Sequence, residues 1–381
     1  MPTALSCDTF AVRNLTCFMI GALTVMPNLQ RLLWPVLATL ALTLSGCSDN
    51  PGSKTENGNE TAPPEYPVTW RFALEEIEGS VQHAYAEAFR KNIEQVSDGK
   101  IVVDVFPYGS LGTSTQLTEL TRNGSVDLAF ASPGHLADQV PETGLFNLHY
   151  LLPDDAERTR QLLRGPELLE ELQPSYESAG LQLLGLVSEG WMAWTANKPL
   201  QAPDDFQDLR IRTMTSEMAA EAFRNYGAAP VQTPYAQVYS DLQLHKIDGQ
   251  ANPVFAIEEM GFHEVQSTMT LPRASRFISS VIANPEWFAD LTPQEKEWLT
   301  TAIRNLSEQA WEIEKELNQE RLELMVERGD LEVVRLTEAQ RDAFREISQT
   351  GRDTYLEATG NKGKALLKLV LTGREPNNGE Q

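Results

Sequence analysis

Apolar and polar positions alternate from Val68 to Ala73 (VTWRFA) as in a strand, and the period then lengthens. Val81, Tyr85, Phe89, Ile93 and Val96 recur at helical spacing within residues 80–97, closed by Asp98-Gly99. Ile101–Phe106 reads as the next strand, so a β-α-β unit opens the fold. The alternation continues with a helix over Ser114–Arg122, a strand at 126–131, a Ser132-Pro133-Gly134-His135 turn, helices at 154–164 and 166–179, and an apolar strand at 181–187. That succession is the signature of an α/β domain with a largely parallel sheet.

The pattern then restarts. Strands are expected at 191–195, 209–213, 231–233 and near Gln250, with helices at 203–208, 216–226 and 236–244 between them. A strand at 277–283 leads into one long helical pattern over 293–327, then a strand at 331–336 and a helix at 338–357. Two similar α/β halves joined by several crossings predict two lobes with a cleft between them and a long helix crossing both. The expected division is 68–188 plus 278–317 for lobe I and 189–277 plus 318–375 for lobe II.

The first 67 residues stand outside this pattern. The run 32–44 is apolar apart from Pro35, Thr39 and Thr43, follows Arg31, and is shorter than a membrane span. Leu44-Ser45-Gly46-Cys47 resembles the bacterial lipoprotein cleavage box, which predicts loss of residues 1–46 and a diacylglycerol on the Cys47 thiol. Met26 with the sequence after it has the form of a signal-peptide start, whereas the stretch before it does not, so Met26 is the expected initiator. Residues 47–67, rich in Ser, Gly, Asn, Pro and Glu, read as a flexible tether.

Composition narrows the function. With a net charge of −23 the chain is a poor partner for nucleic acid or anionic lipid, so membrane attachment is expected through the lipid anchor only. Cleavage would leave one cysteine, acylated, which removes disulfides and cysteine-based metal sites. No HExxH, GxGxxG, GxxxxGK[ST] or GxSxG occurs, and no two of the five histidines are spaced like metal ligands. Neither a cofactor nor a catalytic constellation is called for, and a binding protein rather than an enzyme is expected.

The residues that could bind a ligand lie at strand ends, where open α/β sheets place their sites. Glu75 and Glu76 follow the first strand, and alternation allows at most one to face a cleft. Arg210 and Arg212 share one face of the 209–213 strand, and either guanidinium could grip a carboxylate with two parallel bonds. Asn252 could donate to the same carboxylate, although an Asx turn before Pro253 explains it equally well. Trp191, Trp194, Tyr235, Tyr239 and Phe255 are aromatics that could wall a pocket, and core packing accounts for each alone.

Taken together, several pieces resemble the extracytoplasmic solute receptors of TRAP transporters, the DctP-like family. They are Phe106-Pro107-x-Gly109-x-Leu111-Gly112, Gly124-x-Val126-Asp127, Leu209-x-Ile211-Arg212 and Tyr239-x-x-Leu242-Gln243, the last running into Ile247-Asp248-Gly249-Gln250-x-Asn252-Pro253. The resemblance spans residues 70–372 and implies a receptor that closes on a small carboxylate ligand and delivers it to the membrane permease subunits. It assigns the carboxylate clamp to Arg212 with Asn252 in support, and puts Met192 where many members carry a second arginine.

Within the family the similarity is to ectoine-binding receptors, through Trp70-Arg71-x-Ala73-x-Glu75-Glu76-x-Glu78-Gly79, Ser132-Pro133-Gly134, Ile211-Arg212-Thr213-Met214-Thr215 and Asn252-Pro253-x-Phe255-x-Ile257-Glu258. This points to Glu76 as the partner of a cationic ring, with His135, Tyr235 and Phe255 around it. His135 stands where a phenylalanine is expected, and Trp191 and Trp194 depart from the subgroup's pattern. An arginine opposite a glutamate suits a zwitterionic or hydrogen-bond-donating acid, because a plain anion would be repelled by Glu76. A solute sensor and a receptor for another transporter class remain as alternatives.

Overall fold

The computed structural model describes residues 66–374. The expected signal segment, Cys47 and the tether up to residue 65 lie outside them. Strand β1 (Val68–Ala73), helix α1 (Val81–Val96) and strand β2 (Ile101–Phe106) form the expected opening unit, with β1 and β2 parallel. Ser80 caps α1 by accepting a bond from the His83 amide. Helix α2 (Ser114–Arg122), strand β3 (Leu128–Ala131) and the short helix α3 (Pro133–Leu136) follow, α3 lying where the sequence suggested only a turn. Helices α4 (Ala156–Arg164) and α5 (Pro166–Ser178) lead into β4 (Gln182–Ala196).

β4 is the main departure from the sequence reading. The two strands expected at 181–187 and 191–195 are one strand of 15 residues, carried through Ser188–Gly190 by a bulge. Its first part pairs antiparallel with strand β9 (introduced below), and its last part pairs with the second lobe's strands. The bulge relies on Gly190, whose φ of +123° and whose space, only 2.5 Å from Asn318 Nδ2 where a Cβ would sit, exclude a side chain.

The second lobe adds β5 (Arg210–Thr213), α6 (Glu217–Arg224), β6 (Ala229–Gln232), α7 (Val238–Gln243), β7 (Gly249–Pro253), α8 (Val254–Glu259) and β8 (Thr268–Leu271). Then come β9 (Arg276–Ala283), α9 (Pro285–Asp290), α10 (Pro293–Arg328), β10 (Glu332–Arg335), α11 (Glu338–Ser348) and α12 (Thr350–Arg374). The strand order is β2-β1-β3-β9-β4-β7-β5-β6, with β8 and β10 joined alongside β4. The sheets are mixed rather than largely parallel: β9 runs antiparallel to β3 and β4, and β4 antiparallel to β7 and β8. Periodicity reports which faces of a strand are buried but not its direction, which explains that difference.

Helix α10 spans 36 residues, roughly 54 Å at the usual rise. A capping box between Thr292 and Glu295 starts it, with Pro293 in its first turn, and Gly329 at φ +69° ends it. It packs on α1 and β4 and then reaches α8, crossing both lobes. Lobe I closes over Trp70, Phe72, Tyr85, Phe89 and Phe130, and lobe II over Trp194, Phe206, Phe223, Tyr226 and Phe344. α12, which kinks at Gly360 (φ +62°) and falls wholly in the stretch assigned from sequence to lobe II, packs Tyr355, Leu366, Leu367 and Val370 among Leu163, Leu168, Leu172 and Tyr176 of α4 and α5. Among the described residues no helix is long and apolar enough to cross a membrane.

Candidate ligand cleft

The parallel strands of both lobes aim their C-terminal ends at one another. From lobe I, the chain leaves β1 and places Glu75 and Glu76 against the cleft; α1 contributes Gln82, α2 Ser114, and the β3–α3 turn Ser132 and His135. From the other side come Arg212 of β5, Met214, Tyr235, Asn252 of β7 and Phe277 of β9. Together they line one pocket. An adjoining pocket, bounded by Phe146, Asn147, His149 and Trp194, shares Arg212, Met214 and Phe277 with it.

Both glutamates face this cavity, against the expectation that only one could. The strand has ended at Ala73, so alternation no longer governs them. Glu75 accepts from the Ser132 amide at 2.8 Å and lies 3.5 Å from His135 Nδ1, which in turn is 2.8 Å from Ser132 Oγ. The Glu75 amide donates to Gln82 Oε1 at 2.8 Å. Glu76 is buried, and its carboxyl is pushed well above the usual carboxylate range, first by burial and then by Glu189 and Glu259.

Opposite them, Arg212 is 1% exposed, and its Nε donates to the Thr233 carbonyl at 2.9 Å. Its Nη2 is buried and has no hydrogen-bond partner among the described residues. Burial lowers the guanidinium to about 10, which still leaves it charged at neutral pH. Arg210 is spent elsewhere: it makes a forked pair with Asp248 at 2.7 and 2.9 Å and donates to the His245 carbonyl. The two arginines therefore have different roles, one a surface ion pair and one an unsatisfied buried donor.

Asn252 is buried, with its Nδ2 bonded to Gln250 Oε1, while Gln250 donates to Thr195 Oγ1 at 3.0 Å. The Tyr235 ring packs edge-on against Tyr108 and Phe262, with centroids at 6.0 and 6.1 Å. Two residues selected from sequence are not part of this cavity. Phe255 is fully buried at the start of α8, packed on Val81 of α1 and on Ala256, so it is core beneath the site. Trp191 turns the other way, stacked on the guanidinium groups of Arg276 at 4.4 Å and Arg273 at 5.2 Å along a surface groove.

Conversely, Glu189 was missed. It occupies the β4 bulge, is 0% exposed, and accepts from Gln82 Nε2 at 3.0 Å. Within Ser188-Glu189-Gly190 only a break in apolar pattern was visible, and nothing in that break says that the glutamate turns inward. Gln82, Ser132, Met214 and Phe277 were missed too, because each belongs to an element whose face toward the cleft depends on its partner across it.

The lobes meet at this level. Thr215 Oγ1 donates to the Gly134 carbonyl at 3.2 Å, and a Cβ on Gly134 would fall 2.2 Å from Met214 Sδ. Asn147 Nδ2 donates to Ser216 Oγ at 3.2 Å nearby.

A cleft between two α/β lobes, with one buried arginine facing carboxylates, is the layout of a solute receptor, and the sequence agrees. Residues 72–358 match the bacterial extracellular solute-binding protein family 7, DctP. The chain belongs to this family. The receptor is 34% identical over 304 residues to the ectoine-binding periplasmic protein TeaA of Halomonas elongata, covering 79% of this chain and 89% of TeaA. It is 30% identical over 304 residues to the ectoine/5-hydroxyectoine-binding periplasmic protein UehA of Ruegeria pomeroyi, covering 79% of this chain and 89% of UehA. A TRAP periplasmic solute-binding protein from Marinobacter aquaeolei VT8, solved in an apo open form, shares 65% identity with a TM-score of 0.77 over 80% of this chain and all of that one. The solved TeaA structure gives 33% identity and a TM-score of 0.77, over 81% of this chain and 99% of TeaA. The receptor is thus of the TRAP type, a class of binding proteins that serves membrane permeases rather than catalysing a reaction.

Proposed function

We propose that this receptor captures a small zwitterionic, ectoine-like or amino-acid-like carboxylate. Arg212 and Asn252 would hold the carboxylate, Glu76 the positive or donor group, and Tyr235 and His135 the sides of the ligand. The observation that carries this reading is the buried Arg212 Nη2, which has no hydrogen-bond partner among the described residues and shares one cavity with the buried Glu76. A buried donor left unpaired is costly, so a ligand oxygen there supplies what the fold leaves out. The relatives named for ectoine support the ligand class. Delivery to a TRAP permease follows from the family, and export on a lipid at Cys47 from the Leu-Ser-Gly-Cys box.

The experiment is a melting-shift and calorimetric titration of the purified receptor with ectoine, amino acids and simple dicarboxylates. Zwitterions are expected to raise Tm in proportion to occupancy. Stabilisation by dicarboxylates alone would overturn the assignment of Glu76. Mass spectrometry of metabolite-extracted protein after delipidation, showing an unmodified Cys47, would overturn the anchor.

A further inference from the structure

The side of the cleft facing Arg212 holds more carboxylates than a monocationic ligand group needs. Gln82 donates its Nε2 to Glu189 at 3.0 Å, and its backbone amide lies 3.5 Å from Glu76 Oε2, so one residue bridges the two acids. Glu189 Oε2 is fully buried and has no donor among the described residues. The neighbouring acidic side chain is Glu76, held to the same Gln82 and likewise buried. Two buried carboxylates side by side repel one another when both are ionised, and one proton held between them removes that repulsion.

The surroundings do not supply a competing charge. Glu75 and Glu259 add negative potential, Gln82 is a neutral donor, and Tyr235 lines the same pocket as Glu76 and Arg212. Arg321 lies beyond Glu259, 3.7 Å from its carboxylate. Burial pushes Glu189 up to about 7 and Glu76 well above its usual range.

We propose that Glu189 shares a single proton with Glu76 in the free receptor, and that a cationic ligand group displaces this proton. The idea rests on the zwitterion reading for its second half only. The proton satisfies the orphaned Glu189 oxygen and leaves the pair with one negative charge. A positive group arriving at Glu76 favours the doubly ionised pair, so the proton leaves to solvent and the ligand's charge takes its place. Uptake becomes an exchange of a proton for a cation. A plain anion or neutral acid gains nothing from the exchange, which sharpens selection for zwitterions. Glu189 is a positioning residue here, acting through Glu76.

The first test uses the free protein. At about pH 6, one unit below the Glu189 value of about 7, infrared spectra should contain the band of a buried protonated carboxyl, lost in both Glu189→Gln and Glu76→Gln. A wild-type spectrum without that band overturns the shared proton. The second test is calorimetry with ectoine at the same pH in phosphate and in Bis-Tris, buffers of different ionisation enthalpy. Release of up to one proton per ligand, absent in Glu189→Gln, and an affinity that falls up to about tenfold per pH unit below the pair's titration are expected. Binding with equal heats in the two buffers overturns the displacement. If ectoine fails to bind while the infrared band is present, the ligand assignment falls and the shared proton stands.

Discussion

Arg212 carries its charge into a site where nothing among the described residues fully satisfies it. The Thr233 carbonyl takes only Nε, so the remaining face of the guanidinium is available to a carboxylate. Arg212→Lys should fold normally by circular dichroism and lose more than tenfold in affinity for the ligand, because a lysine cannot replace the second charged bond, worth roughly 1.5 to 3 kcal/mol. Unchanged affinity would show that the carboxylate sits elsewhere. Glu189 leads to a pH prediction. Burial pushes it up to about 7, above the ordinary glutamate value of 4.5, so between those limits the native state binds more protons than the unfolded one. Stability from this residue is therefore full at low pH and declines as pH rises toward 7. His149, held down to about 3 by burial, acts in the opposite sense below the ordinary histidine value of 6.5. The informative quantity is therefore the wild-type Tm minus that of Glu189→Gln, which should fall from about pH 5 to about pH 8. At this scale the sequence was legible where chemistry singles a residue out, as for Arg212 and Glu76. It was not legible for Glu189, whose inward turn depends on a bulge, or for Phe255 and Trp191, whose rings find core and cation partners that only packing reveals.

Elements decide how those residues meet. The bulged β4 serves both sheets, and its bulge with Gly190 fits against Asn318 of α10, which donates to the Glu189 carbonyl at 2.9 Å. Glu189 is thus mounted on the segment that passes between the lobes, and Glu76 meets it from the chain after β1. On the facing wall, α3 approaches the loop after β5 so closely that Gly134 has room for no side chain. Gly134→Ala should hold the lobes apart. Ligand affinity is expected to fall at least tenfold while the Tm of the free protein changes by less than about two degrees, since the open form does not need that contact. Adding Met214→Ala should recover part of the loss. A large fall in the free protein's Tm would instead assign Gly134 to the fold. The helix Ser114–Arg122 followed from apolar spacing, whereas α8 and α9 were not read, and the single helix expected at 338–357 is broken between α11 and α12, which continues beyond a kink at Gly360.

The whole molecule is strongly acidic, with the buried Arg212 in its cleft. A charge of −23 spread over its surface repels itself, and the exposed ion pairs such as Arg210–Asp248 offset little of it. Raising NaCl from about 0.05 M to about 1 M shortens the screening length from roughly 14 Å to 3 Å and should raise Tm by several degrees. A Tm that falls with salt would mean that ion pairs outweigh repulsion. Ligand binding should also reduce the radius of gyration in X-ray scattering as the lobes close, with α10 and β4 as the connections that must bend.

Sequence by itself determined most of the succession of elements, the two-lobed α/β class, the family, and the residues whose chemistry has few other uses. Those follow from local periods of 2 and 3.6 and from residue types, which neighbours along the chain do not change. Only the tertiary structure decided strand direction, the continuity of β4, the side of the cleft that Trp191 and Phe255 do not reach, and the presence of Glu189 beside Glu76. Each of these depends on which distant segment packs against a residue, and burial beside a like charge is a property of that packing, not of the residue.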